Sequence, residues 1–166
     1  MKTIPSGALS KYYYYNEMSA VTEVVIPSSV TTIGISAFSG CTSLAEVQLS
    51  GENLTEISSS VFSGCTALAE VQLPSSLKKI GSYAFNNCTL LQTIELPDTL
   101  EIIDSSAFFK TALTEIQLPD SLKEIGSSAF EDTELSSVVI TNGVERIGGN
   151  AFENCANLSQ IVIPAS

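Results

Sequence analysis

Apolar positions recur along the chain in blocks of 22 to 24 residues rather than at a single helical or strand period. Aligned on one aromatic position, Phe38, Phe62, Phe85, Phe108, Phe130 and Phe152 stand 24, 23, 23, 22 and 22 residues apart. Ala37, Val61, Ala84, Ala107, Ala129 and Ala151 precede them. Leu44, Leu68, Leu91, Leu113, Leu135 and Leu158 follow five or six residues later. Three residues on comes an alternating pair: Val47/Leu49, Val71/Leu73, Ile94/Leu96, Ile116/Leu118, Val138/Ile140 and Ile161/Ile163. Pro often comes next, as at Pro27, Pro74, Pro97, Pro119 and Pro164, and then a Leu or Val with an Ile three residues later, as in Leu77 and Ile80. Self-similarity at this period is the mark of a repeat solenoid.

A unit this small cannot bury its own apolar side chains, so successive units stack and stability becomes a sum over neighbours. Val-Gln-Leu-Pro has the two-residue alternation of a short strand, and Pro ends it by withholding a ladder donor. One strand per coil, held in register, predicts a parallel sheet on one face; seven such strands would span roughly 30 Å. The Ser-x-Ala-Phe stretch on the other face is long enough only for a turn or a helical turn. The Leu-x-x-Ile stretch adds a short second strand. The expectation is a right-handed coil forming one domain. Residues 27–163 hold six repeats. Residues 1–26 are a degenerate first repeat or N-terminal cap, with Pro5, Tyr15, Met18, Val21, Val24 and Ile26 in the repeat's slots. Residues 164–166 begin a further repeat or a tail.

Composition narrows the chemistry. Hydrophobic residues make up 44% of the 166 and charged residues only 15%, against roughly 25% charged in typical domains. The chain has ample material for a core and does not read as disordered. The 18 Asp and Glu against 7 Lys and Arg give a net charge of −11. That disfavours nucleic acid and anionic membranes as partners and favours a basic one. There is no His, which removes Ser-His and Cys-His catalysis. The N-terminal residues lack the apolar run of a signal peptide, and no stretch approaches the ~20 apolar residues of a membrane span. The expectation is a cytosolic protein or a piece of a longer exported chain.

Written as one unit, the repeat reads Pro-x-[Ser/Thr]-[Leu/Val]-x-x-Ile-Gly-x-x-Ala-Phe-x-x-Cys-x-x-Leu-x-x-[Val/Ile]-x-[Leu/Ile]. This resembles the BspA-like, or treponemal-type, leucine-rich repeat family over residues 4 to 165. The resemblance implies a surface or secreted protein of bacteria or mucosal protists, with adhesion to host proteins or cells as its role. It supplies no catalytic residues, and the chain is expected to lack the family's export signal and surface anchor.

Five features carry candidate chemistry. Cys41, Cys65, Cys88 and Cys155 share one slot, which Thr111 and Thr133 fill in the other two repeats. Three neighbouring thiols and an isolated one suit neither two disulfides nor a metal site, so they read as small groups facing the inside of a turn. Glycosylation sequons at Asn53, Asn87 and Asn157 read as chance in a Ser/Thr/Asn-rich chain. The Tyr12–Tyr15 run is either a contact surface or a cover for the sheet's open end. The last strand is apolar on both faces, which predicts a fragment of a longer array or end-to-end self-association, since a bare edge invites pairing.

The fifth feature is the outward face of the strands. One column reads Glu23, Glu46, Glu70, Thr93, Glu115, Ser137, Gln160; the next reads Val25, Gln48, Gln72, Glu95, Gln117, Val139, Val162. It holds five acids and no base, while Lys78, Lys79, Lys123 and Arg146 fall between the Leu and Ile slots. Like charges directly opposite destabilise a sheet. The strip therefore predicts a ligand surface on the concave face, made of Glu23, Glu46, Gln48, Glu70, Gln72, Glu95, Glu115 and Gln117, that receives a basic protein segment or Ca²⁺. The bland alternative is a solvated face that prevents aggregation. The leading expectation is a non-enzymatic protein-binding module with no cofactor and no resident metal. A structural spacer is the first rival. A carboxylate-pair hydrolase using Glu70 and Glu95 is the second; it is disfavoured because an exposed sheet without inserted loops offers little desolvation to split two pKa values.

Overall fold

The computed structural model describes residues 3–9 and 20–164. It is a β-solenoid of stacked coils with two parallel sheets along its length. The principal sheet contains β2 (Glu23–Ile26), β4 (Glu46–Leu49) and β6 (Glu70–Gln72), in register Val24–Val47–Val71. Farther along, β10 (Ser137–Val139) pairs with β12 (Gln160–Val162). The second sheet is the more continuous of the two. It runs β5 (Glu56–Ile57), β7 (Lys79–Ile80), β8 (Ile102–Ile103), β9 (Glu124–Ile125) and β11 (Arg146–Ile147), with the isoleucines in one column. Before it, β1 (Thr3–Ile4) pairs with β3 (Thr32–Ile33), which joins the N-terminal residues to the stack.

Each slot of the repeat has a physical reason. The Phe rings stack in a column, with centroids 5.4 to 5.5 Å apart and planes within 16° of parallel. Phe62, Phe85, Phe108 and Phe130 are fully buried. The hydroxyl after Pro bonds to the coil before it: Ser76 to Leu54 O at 2.9 Å, Thr99 to Leu77 O at 2.8 Å and Ser121 to Leu100 O at 2.6 Å. This caps the carbonyl of the buried Leu, so Ser and Thr recur there.

Between a turn and a helical turn, the Ala-Phe stretch takes the turn. Each coil places a left-handed residue two before and two after Phe, as at Tyr83 (φ 59) and Asn87 (φ 58) around Phe85. Ser, Asn, Asp and Gly dominate these positions because they tolerate positive φ. Turned this way, backbone N–H groups point along the stack: Phe62 donates to Ala84 O at 2.9 Å and Phe85 to Ala107 O at 2.8 Å. No described buried side-chain N or O lacks a partner.

Glycine after the Ile of the second strand answers to close approach. A methyl group on Gly126 would sit 2.5 Å from the carbonyl carbon of Asp104 and from Ser105 N, both backbone atoms. Gly126→Ala should therefore wedge two coils apart and lower stability by about 1–3 kcal/mol, as overpacking does. Urea unfolding checks this against Gly149→Ala, whose added methyl meets nothing within 4 Å. Equal midpoints for the two variants would refute the wedge.

The seven-strand principal sheet expected from the pattern is not what forms. Thr93–Leu96 and Glu115–Leu118 occupy the strand slots of two middle coils but form no ladder. Coil length also changes along the stack. In the Cys coils the Leu N–H closes a turn on the Cys carbonyl, as Leu91 does on Cys88 O at 3.1 Å. The Thr111 and Thr133 coils have one residue fewer before Leu113 and Leu135, and that turn is absent. Coil length alone does not set the break, since β10 and β12 pair across the same change while Thr93–Leu96 lies in a coil of full length.

Candidate functional site

Every residue of the proposed strip lies on the outward face of the principal sheet's slots. Register aligns Glu23 with Glu46 and Glu46 with Glu70, and pairs Gln48 with Gln72. Gln48 Nε2 donates to Glu46 Oε1 at 2.7 Å, the one side-chain bond within the strip among the described residues. Glu23, Glu70, Gln72, Glu95, Glu115 and Gln117 are exposed, and Glu46 and Gln48 half-buried. The structure brings the first three acids into one contiguous row. It does not extend the row by hydrogen bonding to Glu95 and Glu115, which stand on the two unladdered segments.

The described bases lie elsewhere and are engaged. On the second sheet Lys78 meets Glu101 at 3.5 Å, Lys123 meets Glu101 at 3.2 Å, Lys79 lies 3.3 Å from Asp104, and Arg146 pairs with Glu124. Lys110 lies 3.9 Å from Asp132. The two lysines lower the Glu101 pKa, chiefly through the Lys123 hydrogen bond. Burial pushes Asp104 up, but the Ser105 N–H and Lys79 more than offset it and hold its carboxyl below the usual value. Such exposed pairs contribute little to stability. Their consequence is electrostatic: none reaches the strip, so its negative potential is uncompensated by any described base.

Sequence reasoning missed one feature of this face. Where the ladder is lost, the sheet parts into two clefts. One, of about 580 Å³, lies between Glu70–Leu73 and Thr93–Leu96. The other, of about 520 Å³, lies between Thr93–Leu96 and Glu115–Gln117. A concavity therefore exists without any inserted loop, contrary to the expectation that a pocket needs one. No change in the repeat's spacing marks it: the Phe-to-Leu distance shifts only after Phe108, one coil beyond the first cleft.

The thiols are not part of this face. Cys65 and Cys88 are free and fully buried, and their Sγ–H groups donate to Phe38 O and Phe62 O, each at 3.2 Å. Thr111 and Thr133 instead donate to the Phe carbonyl of their own coil, at 2.9 and 2.8 Å. Among the described residues no three Cys, Asp or Glu side chains converge as metal ligands. The tyrosine run at 12–15 lies outside the described residues.

The family model for the BspA type leucine-rich repeat region, present in six copies, matches residues 7–134 and 90–166. The chain belongs to the BspA-type leucine-rich repeat family. The treponemal repeat architecture is directly visible in a crystallised leucine-rich repeat protein of T. pallidum, 30% identical with a TM-score of 0.59, over 96% of this chain and 62% of that one. A leucine-rich repeat protein of Eubacterium ventriosum is also 30% identical, with a TM-score of 0.66, over 70% of this chain and 32% of that one. A leucine-rich cell-surface protein of Faecalibacterium prausnitzii has a similar fold at 23% identity and a TM-score of 0.57, over 98% of this chain and 65% of that one. The chain thus spans between a third and two thirds of the length of these relatives. No protein of curated function matches it.

Proposed function

We propose that this BspA-type array is a non-enzymatic protein-recognition module of a bacterial cell-surface protein, and that the acidic face of its principal sheet receives a basic ligand. One observation carries this reading. Glu23, Glu46 and Glu70 stand in register on adjacent strands, while the described bases are spent in ion pairs elsewhere. Like charges opposed across a sheet cost stability, and a rigid, preorganised surface keeps the entropic cost of binding low. Placement at the cell surface follows the F. prausnitzii protein's description.

Biolayer interferometry against extracellular-matrix and serum proteins at physiological salt tests it, with a calcium titration alongside. A Glu46→Lys/Glu70→Lys variant should lose about tenfold or more in affinity for any partner found. Its thermal midpoint should change little, because the Glu23–Glu46 contact becomes an opposite-charge pair while the Glu46–Glu70 contact becomes a Lys–Lys pair of like sign. Unchanged binding by the variant would reduce the strip to a solubilising surface. No binding across the panel would favour a spacer role within a longer protein.

A further inference from the structure

We propose that the C-terminal end of the stack is a homophilic interface: two copies of this chain meet end to end about a two-fold axis, with the outer edges of β12 paired antiparallel. The proposal does not rest on the reading of the acidic face.

The repeat itself identifies the occupant. In the coil before the last, Ile125, Phe130 and Leu135 are 0% exposed, Val138 1% and Ile140 4%. The same slots of the last coil hold Ile147, Phe152, Leu158, Ile161 and Ile163. There Ile147 is 42% exposed, Ile161 43% and Ile163 72%, and Phe152 and Leu158 are only partly buried. What seals each slot elsewhere is the same slot of the neighbouring coil, ring on ring for Phe130 and Phe152 at 5.4 Å. A surface of matching slots is therefore the one that fits this end. Its backbone is open as well. β12 pairs only with β10 and β11 only with β9, and an unpaired edge is a template for a further strand. A cleft of about 450 Å³ runs between the two edges, from Val144–Ile147 to Ile163 and Pro164.

The N-terminal end of the stack does not offer that match. Among the described residues, its apolar side chains Ile4, Leu9, Val21 and Val24 are packed partly buried against the core, and β1 already covers β3. A second C-terminal end does match, which makes the contact isologous and closes it at two copies. Charge permits it. Residues 141–164 carry Arg146 against Glu145 and Glu153, a net −1 of the chain's −11, so two copies approach here without the repulsion that the rest of the surface imposes. Pairing centred on Ile161 sets that residue against its own counterpart, which continues the inward column of Val138. An interface one coil across is small, below about 1,200 Å² in total, so the dimer forms and dissociates with concentration.

Sedimentation velocity of the full chain, from about 5 to 500 µM to bracket a micromolar Kd, should show monomer passing to dimer and nothing larger. Ile147→Lys/Ile163→Lys should weaken dimerisation about tenfold or more, because it puts charge into an apolar contact. Both side chains are exposed, so the fold should hold, which the urea midpoint checks. Val25→Lys, 54% exposed at the far end of the sheet, should change dimerisation no more than about twofold. Gln160→Cys tests the register. With pairing centred on Ile161, the two introduced thiols stand diagonally across the axis, about 7–8 Å apart, within reach of a short bismaleimide. A cross-linked dimer should form above the background of the wild type, whose cysteines are buried. If the double variant fails to fold, this cross-link decides alone. A chain that stays monomeric throughout, or a dimer that Ile147→Lys/Ile163→Lys leaves intact, would overturn the proposal. So would growth past two copies, or cross-linking of Gln160→Cys only when mixed with Thr3→Cys, which marks head-to-tail stacking.

Discussion

Replacing Phe85 by alanine is expected to lower the unfolding free energy by about 3–5 kcal/mol. The ring is fully buried and stacks on Phe62 and Phe108, each at 5.4 Å. Two interfaces lose their centre at once, and in a solenoid stability is carried by such neighbour terms. The turns around the ring cannot collapse into the cavity, because their N–H groups are fixed to the next coil: Phe85 to Ala107 O at 2.8 Å and Asn87 to Phe109 O at 2.8 Å. Phe152→Ala should cost less than half as much. That ring has one stacked neighbour, Phe130, and is only partly buried. Urea unfolding of the two variants measures the contrast. A loss below about 1 kcal/mol at Phe85 would mean that the Phe column is not the principal support of the stack.

Most of the fold was legible because the repeat states each contact six times. The Phe column, the inward Val/Leu pair and the Ile ladder follow from periodicity, since a residue at the same slot of every coil must meet its own counterpart. What periodicity hides is where successive coils differ. Ala84-Phe85 looks helical by composition, yet Tyr83 and Asn87 both take positive φ. A four-residue window cannot distinguish a helical turn from paired turns whose bonds run between coils. The parting of the sheet was hidden for a related reason. Ile94 and Ile116 carry the same apolar alternation as Val47 and Val71, and nothing in that alternation marks the change. The acidic strip itself was fully readable as columns. That Glu95 and Glu115 border clefts rather than continue a ladder was not, because the two arrangements have the same alternation of side chains.

The same slot that marks coil length also sets an alkaline limit on stability. Burial, with the neighbouring Cys41 thiol adding to it, pushes Cys65 up from 9.0 to about 12; a backbone hydrogen bond from Cys41 offsets only part of this. Cys88 is raised well above the ordinary thiol value too, again chiefly by burial. A raised thiol pKa means that the fold holds the neutral form. Below about pH 9 both folded and unfolded chains carry the proton, and the contribution is fully present. Above it the unfolded thiols ionise first, so stability falls by about 1.4 kcal/mol per pH unit for each such thiol. For Cys65 the fall levels off as pH passes about 12. Alkali acts on the whole chain, so the comparison must be with Cys65→Thr/Cys88→Thr. Threonine already occupies this slot at Thr111 and Thr133, where its hydroxyl finds a carbonyl within the coil. The variant should fold at pH 7 and lose stability more slowly between pH 9 and pH 11, by about 3 kcal/mol per pH unit for the two thiols together. Urea midpoints taken across that range decide it. Parallel alkaline decline in wild type and variant would show that the thiols are not held protonated by the stack. A steeper decline in wild type would tie the small residues at this slot to the dry interior they face. It would also explain why cysteine and threonine, and no charged residue, fill it in the six repeats.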